Sequence, residues 1–213
     1  MTSKTSLLSI LTTLILTLAM SISLYAGSEP NIMGVHTKVI GDKFKFDGKT
    51  VEVVEFMSFY CHTCYDFEKA IPVIKGNFPK KIKWKTIAIY WGDHGSPKPG
   101  EAYLIAQEAG KGEEMKKALF EAHMVEKRDI ADLKVLEDIA GKVGLGSDFS
   151  KKLRSGAKAV ESQKALDLAR KYGVNETPTL IIAGNIKTDP HALNHDLESF
   201  KTNTLAILAS ILK

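Results

Sequence analysis

The period of the apolar positions changes along the chain, and each change marks an element. Residues 43–46 and 50–59 alternate or run apolar on either side of Asp47-Gly48, a turn pair, and predict two strands, the second ending directly in Tyr60-Cys61. From Cys64 to about Asn77, Phe67, Ala70, Ile71 and Ile74 recur at helical spacing, with Pro72 as the expected kink. Residues 81–91 return to alternation, Lys81, Lys83 and Lys85 against Ile82, Trp84 and Thr86, and then become apolar, as a strand entering a buried sheet does. Gly92 to Gly100, with Pro97 and Pro99, reads as a loop. Helical period then takes over in three stripes: Met115, Ala118, Leu119 and Ala122; Leu133, Leu136, Ile139, Ala140 and Val143; and Val160 to Tyr172, which stops at Gly173. Strand character returns at residues 179–183, Gly184-Asn185 is a hairpin turn, and Ile186-Lys187 starts the returning strand. A last helix puts Phe200, Leu205, Leu208 and Leu212 on one face. This order predicts a mixed α/β sheet formed by residues 27–91 and 174–213, with a helical domain, residues 92–173, inserted in its middle; that stretch is too long to be a loop.

Composition narrows the classes. With 44% hydrophobic and 25% charged residues and 7 Pro, the chain of 213 residues is neither disordered, collagen-like nor a polytopic membrane protein. A net charge of +4, dispersed along the chain, gives no nucleic-acid footprint. Residues 1–26 carry one charged side chain, Lys4, before an apolar run from Leu7 to Ala26. Ala26 before Gly27 suits signal cleavage, so residues 1–26 are expected to be a signal peptide; an uncleaved N-terminal anchor is the rival. Both place the folded part outside the cytoplasm, where disulfides persist.

The chain has two cysteines, Cys61 and Cys64, three residues apart where a strand meets a helix. At a helix N-terminus the unpaired N–H groups and the positive end of the dipole favour a thiolate, the form that attacks disulfides. Cys61 is thus expected to be the exposed attacking sulfur and Cys64, one turn in, the buried sulfur that closes the ring and releases a partner. Other readings stand beside this one. A structural disulfide would close so small a ring that little chain entropy is removed. A haem site would need His where Tyr65 stands, and a metal site from Cys61, Cys64 and His62 lacks a second cysteine pair.

The run from Val54 to Glu68, VEFMSFYCHTCYDFE, resembles the active-site segment of the DsbA family, thiol:disulfide oxidoreductases of the periplasm with a thioredoxin-like fold. The order of elements agrees with that family, from about Asp42 to the C-terminus, including the helical insertion before Val174-Asn175-Glu176-Thr177-Pro178-Thr179. The resemblance implies a redox-active Cys61–Cys64 pair and a cis bond before Pro178. It also implies an extended substrate chain held by the Thr177 backbone, and no dissociable cofactor. Glu55, six residues before Cys61, matches a buried acid implicated in proton transfer to the second cysteine. The family has Pro-His between its cysteines; here His62 and Thr63 stand there, so Thr63 supplies at most a hydroxyl, and His62 could supply charge from another direction. The implied partners are cysteine-containing exported proteins and a DsbB-like membrane redox protein, with the chain itself a monomer. A reductase of the same fold, or a copper- or client-binding protein without turnover, would use the same residues. His191 and His195 have the i, i+4 spacing of a helical metal pair, but no distant third ligand is indicated and no metal site is expected. His123 reads as structural.

Overall fold

The computed structural model describes residues 30–92 and 95–213; the expected signal or anchor segment, residues 1–26, lies outside the described residues. Five strands form one sheet in the order β1-β5-β4-β2-β3: β1 (Thr37–Lys38), β2 (Val51–Met57), β3 (Ile82–Ala88), β4 (Thr179–Ile182) and β5 (Ile186–Thr188). β2 runs parallel to β3 and antiparallel to β4, so Glu55 stands opposite Thr86 on one side and Leu180 on the other. The chain can reach a parallel neighbour only through a crossover. Between β2 and β3 that crossover is α1 (His62–Phe67) followed by α2 (Ala70–Asn77).

Between β3 and β4 lie α3 (Lys98–Glu108), α4 (Gly112–Phe120), a π-helical turn (Glu121–Val125), α5 (Leu133–Lys142), α6 (Ser147–Arg154) and α7 (Ala159–Lys171). After β5 come a single 3₁₀ turn (His191–Leu193) and the closing helix α8 (Leu197–Ile211). Ile32 to Lys213 is one unit, and no helix of the described residues is long and apolar enough to cross a membrane.

Of the three apolar clusters among the described residues, two bear on the cysteine helix. One joins Val51, Val53, Leu180 and Ile182 of the sheet to Phe67 and Ile74 of α1 and α2 and to Phe200, Ile207 and Leu208 of α8, with the Phe67 and Phe200 rings 4.8 Å apart. The other joins Met57, Phe59 and Cys64 to Met115, Leu119, Phe120, Leu136 and Ile139 of the insertion. The inserted helices therefore pack over the end of β2 that leads into the cysteines. Each fully buried Leu or Phe is worth roughly 2–3 kcal/mol, so this second cluster fixes the insertion firmly against the cysteine helix.

The mixed α/β sheet interrupted by helices is as the sequence predicts, and several local features differ. Residues 43–46 are not a strand: the segment crosses the tip of the β4–β5 hairpin and joins it by single bonds such as Lys45 N–H to Ala183 O, 2.8 Å. Gly184 lets it pass so close, since a Cβ there would lie 3.0 Å from the Lys43 carbonyl. The helical break falls at Glu68-Lys69 rather than at Pro72. Pro72 occupies the first turn of α2, where a missing N–H leaves no bond unmade. Pro97 and Pro99 likewise begin α3, so the expected loop ends at Pro97. On α8, Leu205 is half-buried while Ile207 and Ile211 face the core.

Candidate functional site

β2 carries the chain through Ser58-Phe59-Tyr60 to Cys61, which has extended backbone (φ −99°, ψ 115°) and caps α1 with its own sulfur. The Cys64 amide donates to Cys61 Sγ at 3.3 Å, the role a Ser or Asp oxygen usually fills at a helix start. Cys61 remains partly exposed, whereas Cys64 is buried completely. Both are free thiols, so the geometry is that of the reduced dithiol. The loop before β4 approaches from the far end of the chain: Cys61 Sγ donates to the Thr177 carbonyl at 3.2 Å, and the Thr177–Pro178 bond is cis. Thr179 Oγ1 ties that loop down through the Glu176 carbonyl at 2.8 Å.

These contacts separate the two thiols electrostatically. Cys61 is lowered from 9.0 to about 6, first by its hydrogen bond with the Cys64 side chain, then, against the opposing effect of burial, by the Thr177 side chain and by the Cys64 and Thr63 amides. Burial pushes Cys64 well above 9.0, and the neighbouring Cys61 sulfur adds to it. Thr63 contributes to this through its main-chain amide. His62 is exposed, and among the described residues its ring has no hydrogen-bond partner. Alkylation of the reduced protein by iodoacetamide, followed against pH, should show a first midpoint near pH 6 assigned to Cys61. A single midpoint near the ordinary thiol value would contradict this arrangement.

Glu55 is fully buried on β2. Its Oε2 accepts from Trp84 Nε1 at 3.0 Å and from Thr86 Oγ1 at 2.9 Å, both on β3, while Oε1 is buried with no hydrogen-bond partner in the protein. The hydrogen bonds of Glu55 therefore go to β3 and not to Cys64. Burial, with the Glu68 carboxylate adding to it, raises Glu55 from 4.5 to about 7. The opposing charge comes from Lys116 on α4, almost wholly buried, whose Nζ lies 3.0 Å from Glu68 and 3.2 Å from Glu113. Burial alone would lower the Lys116 ammonium, but the Glu68 and Glu55 carboxylates reverse it and hold the charge in place.

Sequence reasoning did not find Lys116, Glu68 or the β3 donors. Lys116 sits beside Met115 at the edge of an ordinary helical stripe, and its partner Glu68 is on another element. The same residues line a cleft of about 400 Å³ beside α1, walled by Tyr65 and Phe120 and floored by Glu68 and Lys116.

A dithiol at the start of a helix, met by a cis-proline loop on a sheet of this order, defines a thioredoxin-fold dithiol–disulfide protein. The chain belongs to the family described as DSBA-like thioredoxin domain, whose model matches residues 52–201. It is 28% identical over 152 residues to the thiol:disulfide interchange protein DsbA of Haemophilus influenzae, an alignment covering 68% of this chain and 72% of the relative. It is also 28% identical over 144 residues to the protein of that name from Pseudomonas aeruginosa, covering 65% of this chain and 66% of the relative. Among solved structures it is similar to P. aeruginosa DsbA, with TM-score 0.66, 22% identity and coverage of 84% of this chain and 90% of that one. The oxidoreductase DsbA of Xylella fastidiosa gives TM-score 0.67 at 21% identity, covering 83% and 92%. The protein is a thiol:disulfide oxidoreductase with the thioredoxin-like fold and a helical insertion.

Proposed function

We propose that this protein works outside the cytoplasm, in the periplasm, as an oxidase that donates its Cys61–Cys64 disulfide to cysteine-containing exported proteins. The observation that carries the direction is the set of hydrogen bonds donated to Cys61 Sγ, that of the Cys64 amide first in geometry, which stabilises its thiolate in the reduced enzyme and so favours giving the disulfide away. At pH 7 a thiol of pKa about 6 is roughly nine-tenths ionised, against about one part in a hundred at 9.0. That difference favours the dithiol form by about 1.4 kcal/mol, or about 30 mV.

A substrate thiolate attacks Sγ of Cys61 in the disulfide, and the electron pair of the breaking S–S bond leaves on Cys64. The high affinity of Cys64 for a proton draws one in, and Glu55, poised near neutrality, is the acid that supplies it. A second substrate thiolate then attacks the substrate sulfur of the mixed disulfide and releases Cys61 as the stabilised thiolate. The main chain at Thr177, beside cis Pro178, holds the substrate extended while this happens. His62, exposed on the rim, contacts the incoming chain rather than the sulfur. Residues 27–91 and 174–213 carry the chemistry, and the inserted domain, 92–173, contributes the Lys116 side of the charge cluster and the wall of the cleft. Regeneration requires an external acceptor, and a DsbB-like membrane protein is the partner we assign to it.

The test is oxidation of a reduced, unfolded dithiol protein by the preformed disulfide enzyme. One client disulfide per enzyme should form within the mixing experiment, and Cys61→Ser should form none. Enzyme that instead reduces client disulfides, leaving client dithiols untouched, would assign it to the reductase direction.

A further inference from the structure

The two histidines spaced i, i+4 do not lie on a helix. His191 opens the 3₁₀ turn, and the chain then passes through two consecutive non-glycine residues with positive φ, Asn194 (56°) and His195 (60°), before α8 begins. The His195 amide bonds back to the Pro190 carbonyl at 2.8 Å. This fold-back sets His191 Nδ1 and His195 Nε2 3.2 Å apart, with the rings inclined at 68°. Two nitrogens bound to one tetrahedral zinc ion at about 2.0–2.1 Å would be about 3.3 Å apart, so the pair already has the bite of a chelate. The sequence offered no third donor, but the fold does: Glu176, from the loop before β4, brings a carboxylate oxygen to within 4.8 Å of both ring nitrogens. Glu176 is held there by the bond from Thr179 to its carbonyl. Asp189 stands against the Glu176 carboxyl, and its Oδ1 accepts from the Ala192 amide at 3.3 Å, so a second carboxylate faces the same point from the start of the turn.

We propose that Glu176, His191 and His195 form a binding site for a divalent cation of the zinc type, with Asp189 as the neighbouring acid. Two imidazoles and a carboxylate select a borderline ion over magnesium or calcium, which prefer all-oxygen cages. The site is distinct from the cysteine pair but adjoins it along the chain: Glu176 precedes Thr177, whose carbonyl touches Cys61 Sγ.

The experiment titrates Zn²⁺ into the full chain in its oxidised form, by calorimetry at pH 7.5, since a closed Cys61–Cys64 disulfide removes the thiolates as competing ligands. One equivalent should bind. His191→Ala with His195→Ala, and separately Glu176→Gln, should each weaken binding at least tenfold. His191 and His195 are exposed, so the double variant should fold; unchanged far-UV circular dichroism and melting temperature establish that the loss is local. Absence of stoichiometric uptake at millimolar zinc would overturn the site, as would binding undiminished in the double histidine variant. Full retention in Glu176→Gln would also overturn it, since the third ligand would then be wrong.

Discussion

Replacing Cys64 with Ser should convert the enzyme from a catalyst into a trap. Cys61 is partly exposed and carries the stabilised thiolate, so in the variant it still attacks a client disulfide, forming a mixed disulfide as the client's other sulfur leaves as a thiolate. In the intact protein Cys64 sits one helical turn away, its amide already on Cys61 Sγ at 3.3 Å, and an intramolecular thiol so placed acts at an effective concentration of about 10⁵ M or more. A serine hydroxyl keeps the shape and removes that attack. Covalent enzyme–client adducts, seen on non-reducing gels and dissolved by dithiothreitol, should outlive those of the intact enzyme by at least about a hundredfold. Catalytic turnover with a dithiol substrate should fall by a similar factor. Cys61→Ser should trap nothing, because the remaining sulfur is fully buried. Ordinary turnover in Cys64→Ser would show that resolution does not depend on the second cysteine.

Glu55 gives the second large effect, on stability and its pH dependence. Its carboxyl has a folded-state pKa of about 7 against an ordinary 4.5, with burial the principal cause. A carboxyl whose pKa is raised on folding binds its proton more tightly in the folded state, so stability is highest below pH 4.5 as far as this group is concerned. It falls as pH rises through the window from 4.5 to 7 and is then level. The full span corresponds to about 3 kcal/mol. Glu55→Gln retains an acceptor for Trp84 and Thr86 and cannot ionise. Urea unfolding should therefore find the variant more stable than the intact protein by about 3 kcal/mol at pH 8 and about equal to it at pH 4.5. The same variant should slow the step in which Cys64 exchanges its proton. A stability difference that does not change with pH would mean that Glu55 is held ionised by Lys116 throughout.

Much of this was legible in the residues because it is local or has a strong chemical signature. Two cysteines at a strand–helix junction announce a redox pair, and the apolar patterns at residues 50–59 and 179–183 announce the strands on either side of it. The sheet's edge was less legible: β1 is two exposed residues, Thr37 and Lys38, with no apolar pattern to mark them. Prolines misled at Pro72 and Pro97 because the sequence shows a breaker without showing whether it falls in a first turn, where it is harmless. The environment of Glu55 depends on tertiary placement. Trp84 and Thr86 look like the polar-edge alternation of a strand, and Lys116 looks like the solvated flank of a helix, until the insertion folds down and buries it against Glu68. The histidine pair shows the same limit in another form, since the distance between His191 and His195 follows from left-handed backbone at Asn194 and His195 rather than from helical spacing.

The central claim is that contacts on Cys61 Sγ make the reduced enzyme the stable partner in exchange. The most direct test is to equilibrate the protein across a series of glutathione buffers and count its free thiols by alkylation. The dithiol form should predominate even where oxidised glutathione is in excess. A Cys61–Cys64 disulfide that persists in millimolar reduced glutathione would contradict it.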